Sequence, residues 1–250
     1  MPHFRALVGA LVIVVSAAAC GSPPAPSGPS PTPAMSPIRV LMLTATAGFR
    51  HDSIATAREV MSTLSTSAGF TVSATEDLAR VSAGGLVDVD VVMFALTSGE
   101  LVLSEPQRTA LVDAVRGGKG FVGIHSATDT LREWPEYGRL VGAYMTDHPW
   151  TQSARVIVEE PSHPASGARE AFSIEEEFYV FAENPRPFVQ VLMRLDPASV
   201  GAAGDYPLVW VQDFGSGRVY YNALGHFSST WRDVRFQSQL IAALRWAAAR

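Results

Sequence analysis

The sequence IRVLML at residues 38–43 sets the fold expected for this chain. A short, almost continuous apolar run of this kind is typical of a strand that is buried on both faces of a parallel sheet. Small residues follow it, and helically spaced apolar residues then run to about Ser67. Asp52 or Ser53 could cap that helix. The pattern predicts a strand, a loop and a helix in succession.

The same alternation continues through the first half of the chain. Further strands are predicted at residues 70–74, 90–95 and 119–124, with a helix from Ser104 that carries Pro106 in its first turn. Alternation of this kind predicts an α/β fold with a doubly wound, mainly parallel sheet flanked by helices. Ligands of such sheets bind beyond the carboxyl ends of the strands. The loops after Leu43, Ala95 and Ile124 are therefore expected to share one crevice.

The second half is expected to be rich in β-structure. Strands are predicted at residues 154–159, 188–194, 208–213 and 218–223, and a closing helix at about 235–249. Gly215, Ser216 and Gly217 predict a hairpin turn between the last two strands.

The beginning of the chain has the pattern of an export signal. Arg5 precedes an apolar run at residues 6–15, which is too short to span a bilayer comfortably, so residues 1–19 are predicted to be a signal peptide. Cys20, the only cysteine, then resembles the lipidated cysteine of bacterial lipoproteins. This predicts an exported protein anchored to the membrane by lipid. Ala17 stands where such signals usually carry leucine, so ordinary cleavage and secretion is the alternative.

Residues 20–37 are predicted to be a lipidated cysteine followed by a tether, and residues 38–250 to be one domain. Seven prolines lie among small residues between 21 and 37, which favours extended polyproline II. A single cysteine excludes internal disulfides and the net charge is −5. No run of lysine or arginine is present, so a nucleic-acid partner is not expected. Nothing in the sequence specifies an oligomeric state.

Five histidines lie where a predicted strand or helix gives way to a loop, at positions 51, 125, 148, 163 and 226. Imidazole binds metals and moves protons near neutral pH. The histidines are widely spaced and form no His-x-x-x-His motif, so spacing alone indicates no metal site. Two or three of them, converging with Glu177 from separate loops, would suit a divalent metal such as zinc or manganese. No Gly-x-Gly-x-x-Gly or P-loop is present, so no nucleotide cofactor is expected.

Six short motifs occur in an order that resembles the ThuA-like, or trehalose-utilisation, family. They are GFRHD at residues 48–52, FVGIHSATD at 121–129, DHP at 147–149, SHP at 162–164, EEFY at 176–179 and GRVYYNALGH at 217–226. The resemblance covers nearly all of residues 38–250 and implies a flavodoxin-like fold similar to class I glutamine amidotransferases. Those enzymes carry a catalytic cysteine at the turn where this chain has His125, so amidotransferase chemistry is not expected. Glu176 also stands where the family more often has aspartate.

The resemblance implies a role in the use of trehalose or a related disaccharide or keto-sugar, with a small carbohydrate as partner. The expected catalytic residues are His51, His125, Glu177 and His226. The expected substrate-binding residues are Asp52, Ser126, Asp129, Trp134 and Tyr179, and His148 and His163 are the expected metal ligands. If residues 172–181 are extended, Glu177 and Tyr179 face one side and Glu176 the other.

Three functions are compatible with these residues. The first is an exported enzyme, a hydrolase, lyase or isomerase that acts on a sugar. The second is a lipid-tethered protein that binds carbohydrate without turnover, and the third is an inactive scaffold. The candidate site residues also have a purely structural interpretation. Asp52 could be only a helix cap, and residues 175–177 only a solvated acidic run.

Overall fold

The computed structural model describes residues 1–4, 9–14 and 36–249. A compact unit extends from Ser36 to the end of the chain. Cys20 and most of the predicted tether lie outside the described residues, and the predicted signal peptide is described only in part. Among the described residues, no helix is long and apolar enough to cross a membrane.

Nine strands and five α-helices are found in the described part of the chain. The strands are β1 (Ile38–Leu43), β2 (Phe70–Thr75), β3 (Val91–Ala95), β4 (Gly120–Ile124), β5 (Met145–Val158), β6 (Phe172–Phe181), β7 (Gln190–Leu195), β8 (Tyr206–Phe214) and β9 (Gly217–Asn222). The helices are α1 (Ile54–Ser65), α2 (Glu105–Arg116), α3 (Pro135–Val141), α4 (Ser228–Arg232) and α5 (Val234–Ala247).

All nine strands belong to one sheet, in the order β2-β1-β3-β4-β9-β8-β7-β5-β6. The first five in this order pair in parallel, and the remaining strands pair antiparallel. The α/β class is thus confirmed, but the sheet is mixed rather than mainly parallel. The change of direction follows from the predicted hairpin turn at Gly215, whose φ of +65° suits glycine, because a short hairpin can join only antiparallel strands.

Strands β1, β3 and β4, in the parallel half of the sheet, are buried on both faces. Every residue of β3 and β4 is buried, and in β1 only Arg39 is exposed. Helix α1 packs its apolar side, including Ile54, Ala57 and Met61, into the core. The continuous apolar runs in the sequence arise from this burial. The carboxyl ends of these strands therefore open onto the loops that carry the candidate site.

Strand β5 departs most from the sequence-based prediction, because it begins at Met145 rather than at Ala154. Its first half is largely exposed and has irregular register at Asp147 and before Trp150. An exposed, bulged strand containing Pro149 lacks the apolar alternation from which strands are predicted. This extra length carries His148 toward the candidate site.

Candidate metal centre

His125 lies at the centre of the candidate site. It directly follows β4 and has a φ of +54°, a left-handed conformation that is uncommon for a residue other than glycine. Its side chain is fully buried, and its Nδ1 donates a hydrogen bond to the carbonyl oxygen of Ala223, 2.7 Å away. Because a carbonyl can only accept, the proton of the neutral ring lies on Nδ1. The lone pair of Nε2 therefore faces the site.

Three further side chains converge on this nitrogen from separate elements. His51 comes from the loop after β1, Glu177 from β6 and His226 from the loop after β9. Their nearest atoms lie 3.1 Å (Nε2 of His51), 3.4 Å (Oε2 of Glu177) and 3.4 Å (Nδ1 of His226) from Nε2 of His125. One donor atom from each of the four residues lies within 4.8 Å of all the others. We call these four residues the His3Glu cluster.

The spacing in the His3Glu cluster suits a metal ion. Ligand atoms about 2.0–2.1 Å from a tetrahedral zinc ion lie about 3.3–3.4 Å from one another. The pairs that involve His125 span 3.1–3.4 Å, and Oε2 of Glu177 lies 3.3 Å from Nδ1 of His226. Three imidazoles and one carboxylate are also a ligand set that zinc accepts. The cluster therefore fits a divalent metal in both spacing and chemistry.

The electrostatics of His51 and Glu177 favour the forms that bind metal. Burial, together with the neighbouring His125 and His226, lowers the pKa of His51 to about 3, so its ring is neutral near pH 7. Burial raises the pKa of Glu177, but the adjacent rings of His125 and His226 outweigh this effect and lower the pKa overall. Nδ1 of His51 is buried without a hydrogen-bond partner in the described part of the chain. Among the described residues, Nδ1 of His51 thus has no counterpart to the carbonyl of Ala223 that holds Nδ1 of His125.

The Glu177–His226 pair is expected to make the stability of the metal-free protein depend on pH. Glu177 has a pKa below its usual 4.5 in the folded protein. Its contribution to the free energy of unfolding is therefore present above pH 4.5 and is lost as the pH falls through the pKa of the folded state. The hydrogen bond with Glu177 raises the pKa of His226 above 6.5, so that contribution is present below pH 6.5 and is lost as the pH rises through the folded value. The pair should stabilise the protein most between pH 4.5 and 6.5.

Urea unfolding in the presence of a chelator tests this pH dependence. The difference in unfolding free energy between the wild type and His226→Gln should be largest in that window and shrink on either side. A difference that stays constant from acidic to alkaline pH would contradict the prediction.

Two polar side chains border the cluster. The Tyr179 hydroxyl donates a hydrogen bond to Nε2 of His125 (2.8 Å), and its ring stacks on the imidazole. Nδ1 of His148 lies 3.1 Å from Oε1 of Glu177, whereas His125 and His226 contact Oε2, and His148 is about half exposed. Glu177 and Tyr179 point the same way because they are two residues apart on extended β6.

Glu176 points to the other side of β6 and holds the turn that carries His226. Its side chain is fully buried. Oε2 accepts hydrogen bonds from the backbone N–H groups of Gly225 (3.1 Å) and His226 (3.0 Å), and Oε1 accepts from Phe227 (3.3 Å) and from the Thr230 hydroxyl (2.8 Å). Glu176 thus fixes the backbone of a cluster residue. Because neighbouring side chains of a strand point to opposite faces, Glu176 and Glu177 lie on opposite sides of β6. The sequence alone does not reveal the contact between Glu176 and the turn that carries His226.

The other predicted site residues make different contacts. Asp129 forms an ion pair with Arg132 (3.2 Å), and Ser126 is buried with its hydroxyl unpaired among the described residues. Trp134 is buried and stacks on Tyr137, so its ring does not offer an open face to a sugar.

His163 lies outside the His3Glu cluster. Its Nδ1 accepts a hydrogen bond from the N–H of Ala165 (3.1 Å), and its ring packs edge-on against Trp246. Asp52, by contrast, lies at the mouth of the site, exposed beside His51. The N-cap of α1 is Ser53, whose hydroxyl bonds the carbonyl of Gly225 (3.2 Å) instead of a helix amide.

Comparison with known proteins finds a matching family model and similar solved structures. The family model ThuA, described as trehalose utilisation, matches residues 39–247. A ThuA-like protein from Bacteroides uniformis superposes with a TM-score of 0.72 at 22% identity, covering 88% of this chain and 95% of that one. A ThuA-like protein from Parabacteroides merdae gives 0.70 at 19% identity, with 85% and 90% coverage.

A β-galactosidase from Bacillus circulans sp. alkalophilus is similar to this chain over part of its length. It gives a TM-score of 0.56 at 15% identity, covering 84% of this chain and 31% of the enzyme. At these identities, the similarity to solved structures establishes the fold alone. No curated protein sequence matches the chain significantly.

Proposed function

The chain belongs to the ThuA (trehalose utilisation) family, and from this premise we propose that its His3Glu cluster binds a divalent metal ion and acts on a disaccharide or keto-sugar. The observation that carries the proposal is the spacing of the four donor atoms. Nε2 of His125 lies 3.1–3.4 Å from the donor atoms of the other three residues. Apart from the Glu177–His226 pair, buried imidazoles that converge on one nitrogen gain little from one another without a metal.

Zinc is the first choice of metal, and manganese is the second. A divalent ion held here would act as a Lewis acid toward a sugar oxygen that joined the four protein groups as an additional ligand. His51, His125, Glu177 and His226 would hold it, and Ala223 would keep the ring of His125 in the tautomer that binds metal.

Tyr179 supplies the hydrogen-bond donor of the proposed reaction. Burial raises the pKa of its hydroxyl well above the usual value, so the group stays protonated at neutral pH. It can therefore donate a hydrogen bond to a sugar oxygen beside His125. His148, half exposed and in contact with Glu177, lies where a substrate could reach it from solvent. These groups suit a hydrolase, lyase or isomerase.

Elemental analysis of the purified protein tests the metal, and ¹H NMR of a trehalose solution tests the reaction. We expect about one zinc or manganese ion per chain, loss of the ion on chelation, and sugar conversion only by the metal-loaded protein. Sugar binding without conversion would favour the carbohydrate-binding alternative. Failure to bind either metal stoichiometrically would overturn the proposal.

The order of the parallel strands supports a finer description of the fold. The order β2-β1-β3-β4-β9 follows the 2-1-3-4-5 order of flavodoxin-like sheets, with β9 as the fifth strand. We propose on this basis that the domain is a flavodoxin-like, amidotransferase-related fold whose sheet has gained four antiparallel strands.

We also propose that the protein is exported and anchored to the membrane by lipid on Cys20, with the domain facing outward. The support is the sequence alone: an apolar run followed by small residues and the only cysteine. Metabolic labelling with a fatty acid should mark the wild type but not Cys20→Ser. Export of an unlabelled wild type would favour ordinary secretion.

A further inference from the structure

A small cavity opens beside the His3Glu cluster. Its volume is about 380 Å³, and it is lined by Phe49, His51, Asp52, Ser53, His226, Phe227, Ser228 and Ser229. His51 and His226 are shared with the cluster, so a molecule in the cavity would lie directly against the proposed metal. We propose that this cavity binds one uncharged sugar ring and discriminates against phosphorylated sugars, an inference that rests on the function proposed above.

Phe49 forms an exposed aromatic wall of the cavity. Its side chain is 66% exposed, and its ring meets that of His51 edge-on at 4.9 Å. The apolar face of a sugar ring packs well on an aromatic ring. A single exposed phenylalanine is common on a protein surface and does not by itself indicate a binding site. The backbone around Phe49 supplies the further evidence.

The backbone that carries Phe49 is tightly fixed. The N–H groups of Ala47 and Gly48 both donate to the carbonyl of Ser98 (2.8 and 3.2 Å), and the Ser98 hydroxyl donates to the carbonyl of Phe49. Gly99 has a φ of +72°, and a Cβ there would lie 2.5 Å from the nitrogen of Gly48. Two glycines are thus packed backbone to backbone, which no larger residue would permit. Phe49 is presented to solvent on a preorganised loop.

Three polar side chains of the cavity can bond to sugar hydroxyls. Asp52 and Ser229 are exposed, and no side-chain hydrogen bond to another described residue engages either one. The Ser228 hydroxyl accepts a hydrogen bond from Thr56 (3.0 Å), so its own proton can be donated into the cavity. A carboxylate can accept hydrogen bonds from two adjacent hydroxyls of a sugar. The cavity thus combines an aromatic platform with hydroxyl-binding groups.

The charges of the cavity favour a neutral ligand. Its lining contains Asp52 but no lysine or arginine. Arg50, next to the cavity in sequence, is engaged by Glu76 through two hydrogen bonds of 2.8 and 3.1 Å. Outside the metal site, a phosphate group in this cavity would meet the Asp52 carboxylate without the lysine or arginine that phosphate sites usually provide.

Binding of trehalose and of trehalose 6-phosphate to the zinc-loaded full chain tests the inference. We expect trehalose to bind more tightly than its phosphate. Phe49→Ala should weaken trehalose binding by about 10-fold while Phe49→Trp retains it. Asp52→Asn should weaken trehalose binding and reduce the ratio of the affinity for trehalose to that for trehalose 6-phosphate. Phe188→Ala removes an exposed phenylalanine outside this cavity and should change nothing.

Zinc content is measured in every variant, which separates this inference from the proposed function. If the wild type binds zinc and trehalose but Phe49→Ala and Asp52→Asn bind trehalose as well as the wild type does, the cavity assignment is wrong and the metal centre stands. Tighter binding of the phosphate would overturn the preference for a neutral ring. If the zinc-loaded wild type binds neither sugar, both the inference and the proposed sugar chemistry fall.

Discussion

Replacing His125 with alanine is expected to reduce the metal affinity of the protein by more than about 100-fold. Loss of an outer partner of a metal ligand typically costs about 10–100-fold in affinity, and loss of a ligand itself should cost more. His125 is also the residue on which the cluster converges, since its Nε2 lies within 3.4 Å of the donor atoms of the other three. No other residue of the cluster contacts all of its partners so closely.

The left-handed backbone of His125 requires a second variant. Alanine tolerates a φ of +54° poorly, so His125→Ala could lose metal simply because the turn is strained. Asparagine occupies this conformation readily and cannot replace the imidazole at the same position. His125→Asn should therefore fold with near wild-type stability and still fail to retain zinc.

Zinc titration monitored by calorimetry, with thermal unfolding as the control for folding, measures the effect of each His125 variant. His163→Ala is the matched control, because His163 lies outside the cluster and packs against Trp246. Wild-type zinc affinity in a well-folded His125→Asn would show that the cluster is not a metal site. Equal losses in His125→Asn and His163→Ala would point to a general effect on folding.

The sequence predicts the parallel half of the fold well. Strands β1, β3 and β4 are buried on both faces, so their sequences are apolar runs that no exposed loop would carry. His51 and His125 could be anticipated at one edge of the sheet because each follows the carboxyl end of a predicted parallel strand. The parallel pairing of β9 with β4, which brings His226 to the same edge, was not predicted.

Other parts of the site could not be predicted because the sequence lacks a local signal for them. Helices α3 and α4 are short, and the exposed half of β5 has no regular apolar period. Glu176 and Glu177 are chemically identical neighbours, and the resemblance to the family, rather than a local signal, pointed to Glu177. Phe49 belongs to a loop whose shape depends on a distant contact between Gly48 and Gly99.

Replacing Glu176 with glutamine is expected to weaken metal binding by about 10–100-fold, although Glu176 does not belong to the His3Glu cluster. Its carboxylate accepts four hydrogen bonds, three of them from the backbone N–H groups of Gly225, His226 and Phe227. Glutamine keeps one oxygen, but its NH2 group would face N–H and O–H donors. At least one buried donor would lose its partner, and the turn that carries His226 should shift.

A comparison of variants shows whether Glu176 acts through His226. In a His226→Ala background the added effect of Glu176→Gln on zinc affinity should largely disappear, because the ligand that Glu176 positions is already missing. Glu175→Gln is the matched control, since Glu175 is exposed on the same strand and should leave affinity unchanged. Equal losses of affinity from Glu176→Gln in the wild-type and His226→Ala backgrounds would mean that Glu176 supports the fold as a whole. The proposal that Glu176 acts on the metal site through the turn that carries His226 would then be wrong.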